Sequence, residues 1–180
     1  LNQLTSGYPR FFKNKLVQKL EEYVKNLHQI DDEKVLFPIT SPQAKTIIEY
    51  IFNEQFEYIT LENVCFLVLP KNHEKLIPIK KIIQNIGAII SSRNAEKILF
   101  DKGIIHHLFQ EERLEIENPQ SEIIQILSEA YSAKKENIFL TNSGTNAVFS
   151  AIETLTKIKK NEGKTLNVQL GWLYLDSIDI

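Results

Sequence analysis

The 180 residues include no methionine, one cysteine and one tryptophan, and no long uninterrupted apolar run. Each shortage excludes a class of protein. With Cys65 alone there is no internal disulfide. Its setting, Val64-Cys65-Phe66-Leu67-Val68-Leu69, reads as that of a small buried hydrophobe in a reducing compartment such as the cytoplasm. No stretch approaches the roughly 20 apolar residues of a membrane span, and the sequence does not open with a charged-then-apolar signal pattern. Lys and Arg number 21 against 23 Asp and Glu, so the basic excess that general nucleic-acid binding requires is missing. The missing methionine and a final Leu175-Asp176-Ser177-Ile178-Asp179-Ile180, which resembles the start of a capped helix, lead us to expect a fragment of a longer chain.

What is present is a 43% hydrophobic fraction, enough for a true core. Phe12 to Leu27 places Leu16, Leu20, Tyr23, Val24 and Leu27 on one helical face. Val35 to Ile39 reads as a short strand. Pro42 to Phe52 reads as a helix with proline in its first turn, where a missing N–H costs little. A strand is expected at Val64 to Leu69, helices at Glu74 to Ile86, Asn94 to Phe100 and Glu122 to Tyr131, and a strand-like run at Leu166 to Leu170. The segment from Gly103 to Gln120 is polar and irregular, an excursion or loop. Strand and helix in alternation predict one α/β unit with a mainly parallel sheet and helices on both faces, preceded by an arm over about residues 1–30.

The richest chemistry lies in Asn137-Ile138-Phe139-Leu140-Thr141-Asn142-Ser143-Gly144-Thr145-Asn146-Ala147-Val148. Ile138 to Leu140 has the length and residue types of a buried strand. Ala147, Val148, Ala151, Ile152, Leu155 and Ile158 recur at helical spacing. Ser143 or Asn142 suits the helix cap, and Gly144 has no side chain to keep an anion from the backbone. The first N–H groups of a helix have no internal acceptor and sit at the positive end of its dipole, which suits a phosphate. The turn is neither a Walker loop nor the three-glycine dinucleotide fingerprint, and the same pattern occurs in α/β proteins that bind nothing.

Other polar clusters have plainer readings. His106-His107 with Glu111 and Glu112 lacks a metal-binding spacing, because adjacent helical residues do not face one another. Lys80-Lys81 is too short to suggest nucleic acid. Ser92-Arg93 is either a second basic phosphate contact or a helix start with a solvated arginine.

Four motifs in order carry a family resemblance: Ser6-Gly7-Tyr8-Pro9-Arg10-Phe11-Phe12, Ile90-Ser91-Ser92-Arg93-Asn94-Ala95-Glu96, the Ile138 to Val148 turn, and Gly171-Trp172-Leu173-Tyr174-Leu175-Asp176-Ser177. Together they resemble the cystathionine γ-synthase branch of the Cys/Met-metabolism enzymes that use pyridoxal 5′-phosphate (PLP), and especially its longer fungal-type members. The likeness covers the whole chain but only about the first half of such an enzyme. It implies part of a fold-type-I, aspartate-aminotransferase-like large domain. It also implies a small-molecule amino-acid substrate, active sites between subunits of a homo-oligomer, and neither a membrane nor a nucleic-acid partner.

By the same resemblance, Ser143, Gly144 and Thr145 would hold the cofactor phosphate, Thr145 standing where methionine is usual. Tyr8 and Arg10 would reach the phosphate of the neighbouring subunit, with Arg93 as a second basic candidate. An arginine fork and a phenol are suitable phosphate donors. Lys13-Asn14-Lys15 stands where the family usually has Asn-Pro or His-Pro. Trp172, or else Tyr174, would stack on the pyridine ring. The Schiff-base lysine and the acidic partner of the pyridine nitrogen are expected outside this chain. The local mimic, Thr154-Leu155-Thr156-Lys157, places Lys157 roughly 20 Å down the helix from Gly144. The expected role is therefore γ-replacement on an activated homoserine ester with a thiol, carried out by a longer parent. The alternatives are a non-catalytic phosphate-ligand module and a degenerate structural relative.

Overall fold

The computed structural model describes residues 13–40, 42–110, 115–168 and 170–171. The chain divides into two compact units, Leu1–Phe109 and Gln110–Ile180, and each is described by itself.

The first unit opens with helix α1, Lys15–Leu27, which starts where the Asn14 side chain accepts a hydrogen bond from the Leu16 N–H at 2.9 Å. Its inner face carries Val17, Leu20 and Val24, all buried. Then come strand β1 (Lys34–Ile39), helix α2 (Pro42–Phe52), strands β2 (Glu57–Leu61) and β3 (Val64–Pro70), and helices α3 (Leu76–Asn85) and α4 (Ser92–Asp101). Helix α3 begins later than the apolar pattern suggests, because the His73 ring nitrogen Nδ1 accepts from the Lys75 N–H at 3.1 Å and holds the chain in a turn there.

The three strands are ordered β1-β3-β2, and β3 is antiparallel to both neighbours. Phe37, Leu67 and Tyr58 lie side by side in one rung, and Ile39, Cys65 and Thr60 in another. Sequence reading expects mainly parallel pairing, and the described strands pair otherwise for a local reason. Leu61 and Val64 face each other across Glu62 and Asn63, with Glu62 left-handed at φ 55°, and so short a connection joins only antiparallel neighbours. Since β1 and β2 both oppose β3, they run parallel to each other, so β1-α2-β2 is a βαβ unit with β3 inserted between its strands. Strand β2 escapes sequence reading because it is an edge strand in which no position is fully buried.

Strand β3 is covered on both faces. Val64 and Phe66, with Leu36 of β1, pack into one core with Val17, Leu20 and Val24 of α1 and Ala95, Ile98 and Leu99 of α4. Leu67 and Leu69 alternate to the opposite face and are also buried. Helix α2 lies on that side, since the Lys45 ammonium sits 4.6 Å from the ring centroid of Tyr58, the rung partner of Leu67. Cys65 is free and half-buried, 3.6 Å from the Thr60 hydroxyl.

The second unit is helical in its described part. Helix α5, Pro119–Tyr131, begins three residues ahead of the expected Glu122, because Asn118 caps it by accepting from the Ser121 N–H at 3.1 Å and Pro119 opens its first turn. It ends at Ser132, left-handed at φ 50°. A short 3₁₀ turn at Lys135–Asn137 leads to helix α6, Gly144–Asn161. Among the described residues of this unit only Phe149 is buried, and no strand is present. Ile138 to Leu140, expected as a buried strand, has no pairing partner among the described residues, and Phe139 is 84% exposed. The strand-like run at Leu166 to Leu170 is likewise unpaired at its described positions, with Leu166 and Leu170 exposed.

Two outcomes follow for stability. Phe66→Ala should cost about 3–5 kcal/mol in urea unfolding, because the ring is fully buried, whereas Phe139→Ala should stay within about 0.5 kcal/mol. Glu21 on α1 supplies a pH signature. Burial pushes its carboxyl above the ordinary glutamate range, and the opposing pull of Lys13 and Lys25 is weaker. Lys13 Nζ lies 2.8 Å from each oxygen but donates a well-aimed bond only to Oε2, leaving Oε1 without one. A raised folded value means that Glu21 favours folding below the unfolded glutamate pKa, and that this contribution is lost as pH rises through the folded value. Glu21→Gln should therefore gain on the unmodified chain as pH rises from about 4 to 7, read as the difference in urea midpoint.

Candidate functional site

The opening turn of α6 is built as its sequence suggests. Ser143 is extended at φ −160° and ψ 159°, and its hydroxyl oxygen accepts from the Asn146 N–H at 3.1 Å, which makes Ser143 the cap. The Ser143 carbonyl accepts the Ala147 N–H at 3.0 Å and also the Thr141 hydroxyl at 2.9 Å, which ties the approach to the first turn. With Asn146 satisfied by the cap, the N–H groups of Gly144 and Thr145 meet no acceptor among the described residues. A Cβ added at Gly144 would meet nothing within 4 Å, so the glycine is not required by packing inside this chain, and the space over its backbone is open. Two aligned donors, an open approach and an 18-residue helix behind them make a fitting cradle for a phosphate.

The remaining candidates separate. Tyr8, Arg10, Trp172 and Tyr174 lie outside the described residues. Arg93 is in the first turn of α4, a helix capped by Ser91, whose hydroxyl oxygen accepts from the Asn94 N–H at 3.1 Å. Arg93 is not merely solvated. Its Nη1 donates to Glu96 Oε2 at 2.8 Å, and its guanidinium lies 3.7 Å from the ring centroid of Phe109. Sequence reading misses Glu96 and Phe109 as its neighbours. The i, i+3 spacing of Arg93 and Glu96 was legible, whereas the return of Phe109 depends on the fold.

Lys157 lies well along α6, 62% exposed and 3.8 Å from Glu153, and Lys159 pairs with Glu162 at 2.9 Å. These lysines belong to the solvated end of the helix. Among the described residues no three His, Cys, Asp or Glu side chains gather as a metal site would need, and no helix is long and apolar enough to cross a membrane.

The cap and the glycine can be tested on stability alone. Ser143→Ala should lower the stability of α6 by about 1 kcal/mol, and Ser143→Asp should retain most of it. Gly144→Ala should be neutral or stabilising by up to about 1 kcal/mol, since the added methyl meets nothing and alanine is the better helix former. Helical circular dichroism followed through urea or thermal unfolding reads all three.

No protein-family model matches the chain, and no solved structure does. The chain is 25% identical over 181 residues to a protein of Streptantibioticus cattleyicolor named L-2-amino-4-chloropent-4-enoate dechlorinase/desaturase. That alignment takes in the whole of this chain and 36% of the relative, so the chain spans little more than a third of the length of the protein it resembles.

Proposed function

We propose that this chain is the N-terminal portion of a PLP-dependent enzyme that acts on an amino acid carrying a leaving group on its γ-carbon. The finer reading is a cystathionine γ-synthase-like γ-replacement, with an activated homoserine ester and a thiol as reactants. The observation that carries the proposal is the opening turn of α6, where the unengaged N–H groups of Gly144 and Thr145 lie beneath an open glycine. Support comes from the alignment across the full chain to a much longer protein whose printed name places chlorine at carbon 4, the γ-carbon.

In this reading Gly144 and Thr145 hold the phosphate through their backbone, and the Ser143 oxygen keeps the Asn146 N–H engaged so that the first turn stays in register. Tyr8 and Arg10 add a phenol and a guanidinium from a neighbouring subunit, and Trp172 or Tyr174 covers the ring. When bound, the cofactor supplies the electron sink for chemistry at Cα, Cβ and the γ-substituent. By the family resemblance, the lysine and the acidic residue that this chemistry needs belong to the rest of the parent, and Lys157, roughly 20 Å along the helix from the cradle, does not stand in for that lysine. A fold-type-I large domain, with a mainly parallel sheet completed by that remainder, would give Ile138 to Leu140 its strand neighbours and cover the exposed Leu155 and Ile158. The exposed apolar side chains of the second unit support this reading.

The test is PLP titration of the chain, followed by borohydride reduction and peptide mapping. Weak, phosphate-competable binding with scattered lysine labelling is the expected result. Gly144→Ala should weaken that binding several-fold while leaving stability equal or higher, a split that simple unfolding cannot produce. One lysine labelled at near-stoichiometric yield would place the reactive amine within this chain and overturn the half-site. Equal binding by the alanine variant would remove the cradle.

A further inference from the structure

The segment after α4 doubles back along that helix. The Gly103 N–H donates to the Phe100 carbonyl at 2.9 Å and the Ile104 N–H to the Leu99 carbonyl at 2.8 Å, while Ile104 and Ile105 pack against the core. Lys19 of α1 reaches across to the Ile104 carbonyl at 3.3 Å. The returning run ends beside the opening turn of α4, where the Phe109 N–H donates to Glu96 Oε1 at 3.1 Å. The other carboxylate oxygen takes Arg93 Nη1 at 2.8 Å, and the guanidinium packs on the Phe109 ring. Glu96 is only 9% exposed, and a carboxylate at that depth is tolerated when both oxygens are matched. Each of them has one donor.

We infer that Arg93, Glu96 and Phe109 form a clasp that closes the first unit and fixes the point at which the chain leaves it. Phe109 is the last residue of that unit, so the clasp sits on the boundary. The three residues lock one another. Glu96 orients the arginine and grips the backbone, and the ring shields the charge pair. Arg93 is thereby a positioning residue for the chain and not an anion ligand. The inference does not depend on the PLP reading.

The experiment uses the full 180-residue chain and follows amide hydrogen exchange at Phe109, with the Ile104 amide as an internal reference for the fold. Arg93→Ala and Glu96→Ala should each speed exchange at Phe109 by about ten-fold or more while Ile104 keeps its protection. Arg93→Lys and Glu96→Gln, which preserve bulk and part of the polarity, should give smaller increases and guard against a variant that fails to fold. PLP affinity, measured by absorbance titration, should be unchanged in Arg93→Ala. Unaltered Phe109 exchange in the alanine variants would overturn the clasp. A several-fold loss of PLP affinity in Arg93→Ala with Phe109 still protected would make Arg93 the anion ligand instead. A chain that binds no PLP at all would sink the cofactor reading and leave the exchange result standing.

Discussion

Strand β3 lends one edge of its backbone to β1, the other to β2, and both faces of its side chains to helices. The first unit depends on that double engagement. Val64 and Phe66 serve the core shared by α1 and α4, while Leu67 and Leu69 serve the side on which α2 lies. A strand used in this way has no polar face, which explains the nearly unbroken apolar run from Val64 to Leu69. Charged pairs then gather around the rim. Lys34 meets Glu57 at 2.8 Å, Lys75 meets Glu54, and Lys102 meets Glu62. Lys75 and Glu54 are half-buried and the other two pairs are more open to solvent, and pairs of this kind add little compared with the core.

The second unit shows the opposite case. Helices α5 and α6 are well capped, at Asn118 and Ser143, and beyond their opening turns each satisfies its own backbone. A strand cannot do so. Ile138 to Leu140 has strand-forming residues but no strand neighbour among the described residues, and Phe139 and Leu140 stay exposed. Helices arise from local rules, whereas sheets and the cores beneath them require partners from elsewhere in a chain.

That difference also decides what the sequence revealed. Helix α2 was legible to the residue, since Pro42 marks its start and its apolar spacing runs to Phe52. Strand β3 was legible because burial on both faces leaves an unmistakable run. Antiparallel pairing was not, because alternating strand and helix suggests a parallel sheet until a third strand is inserted through the short Glu62-Asn63 connection. At the site, the Gly144 opening and a cap at Asn142 or Ser143 could be read from residue type and spacing, and the structure assigns the cap to Ser143. The ring beside Arg93 could not, since Phe109 lies 16 positions along and arrives only after a reversal of the chain. Local chemistry is written in adjacent letters, and tertiary chemistry is not.

The insertion of β3 between β1 and β2 also has a bearing on synthesis. A ribosome releases β1 and α2 well before β3, so β1 must wait with both edges unpaired while its partner strand β3 is still to be made. The β2-β3 hairpin, by contrast, closes over neighbouring residues and can form as soon as it emerges. Once it is in place it offers β1 a ready template, and α4 can then close over the same face. Until then a newly made chain carries an open β1 edge, and chaperone engagement at this stage would matter more than it does for either helix of the second unit.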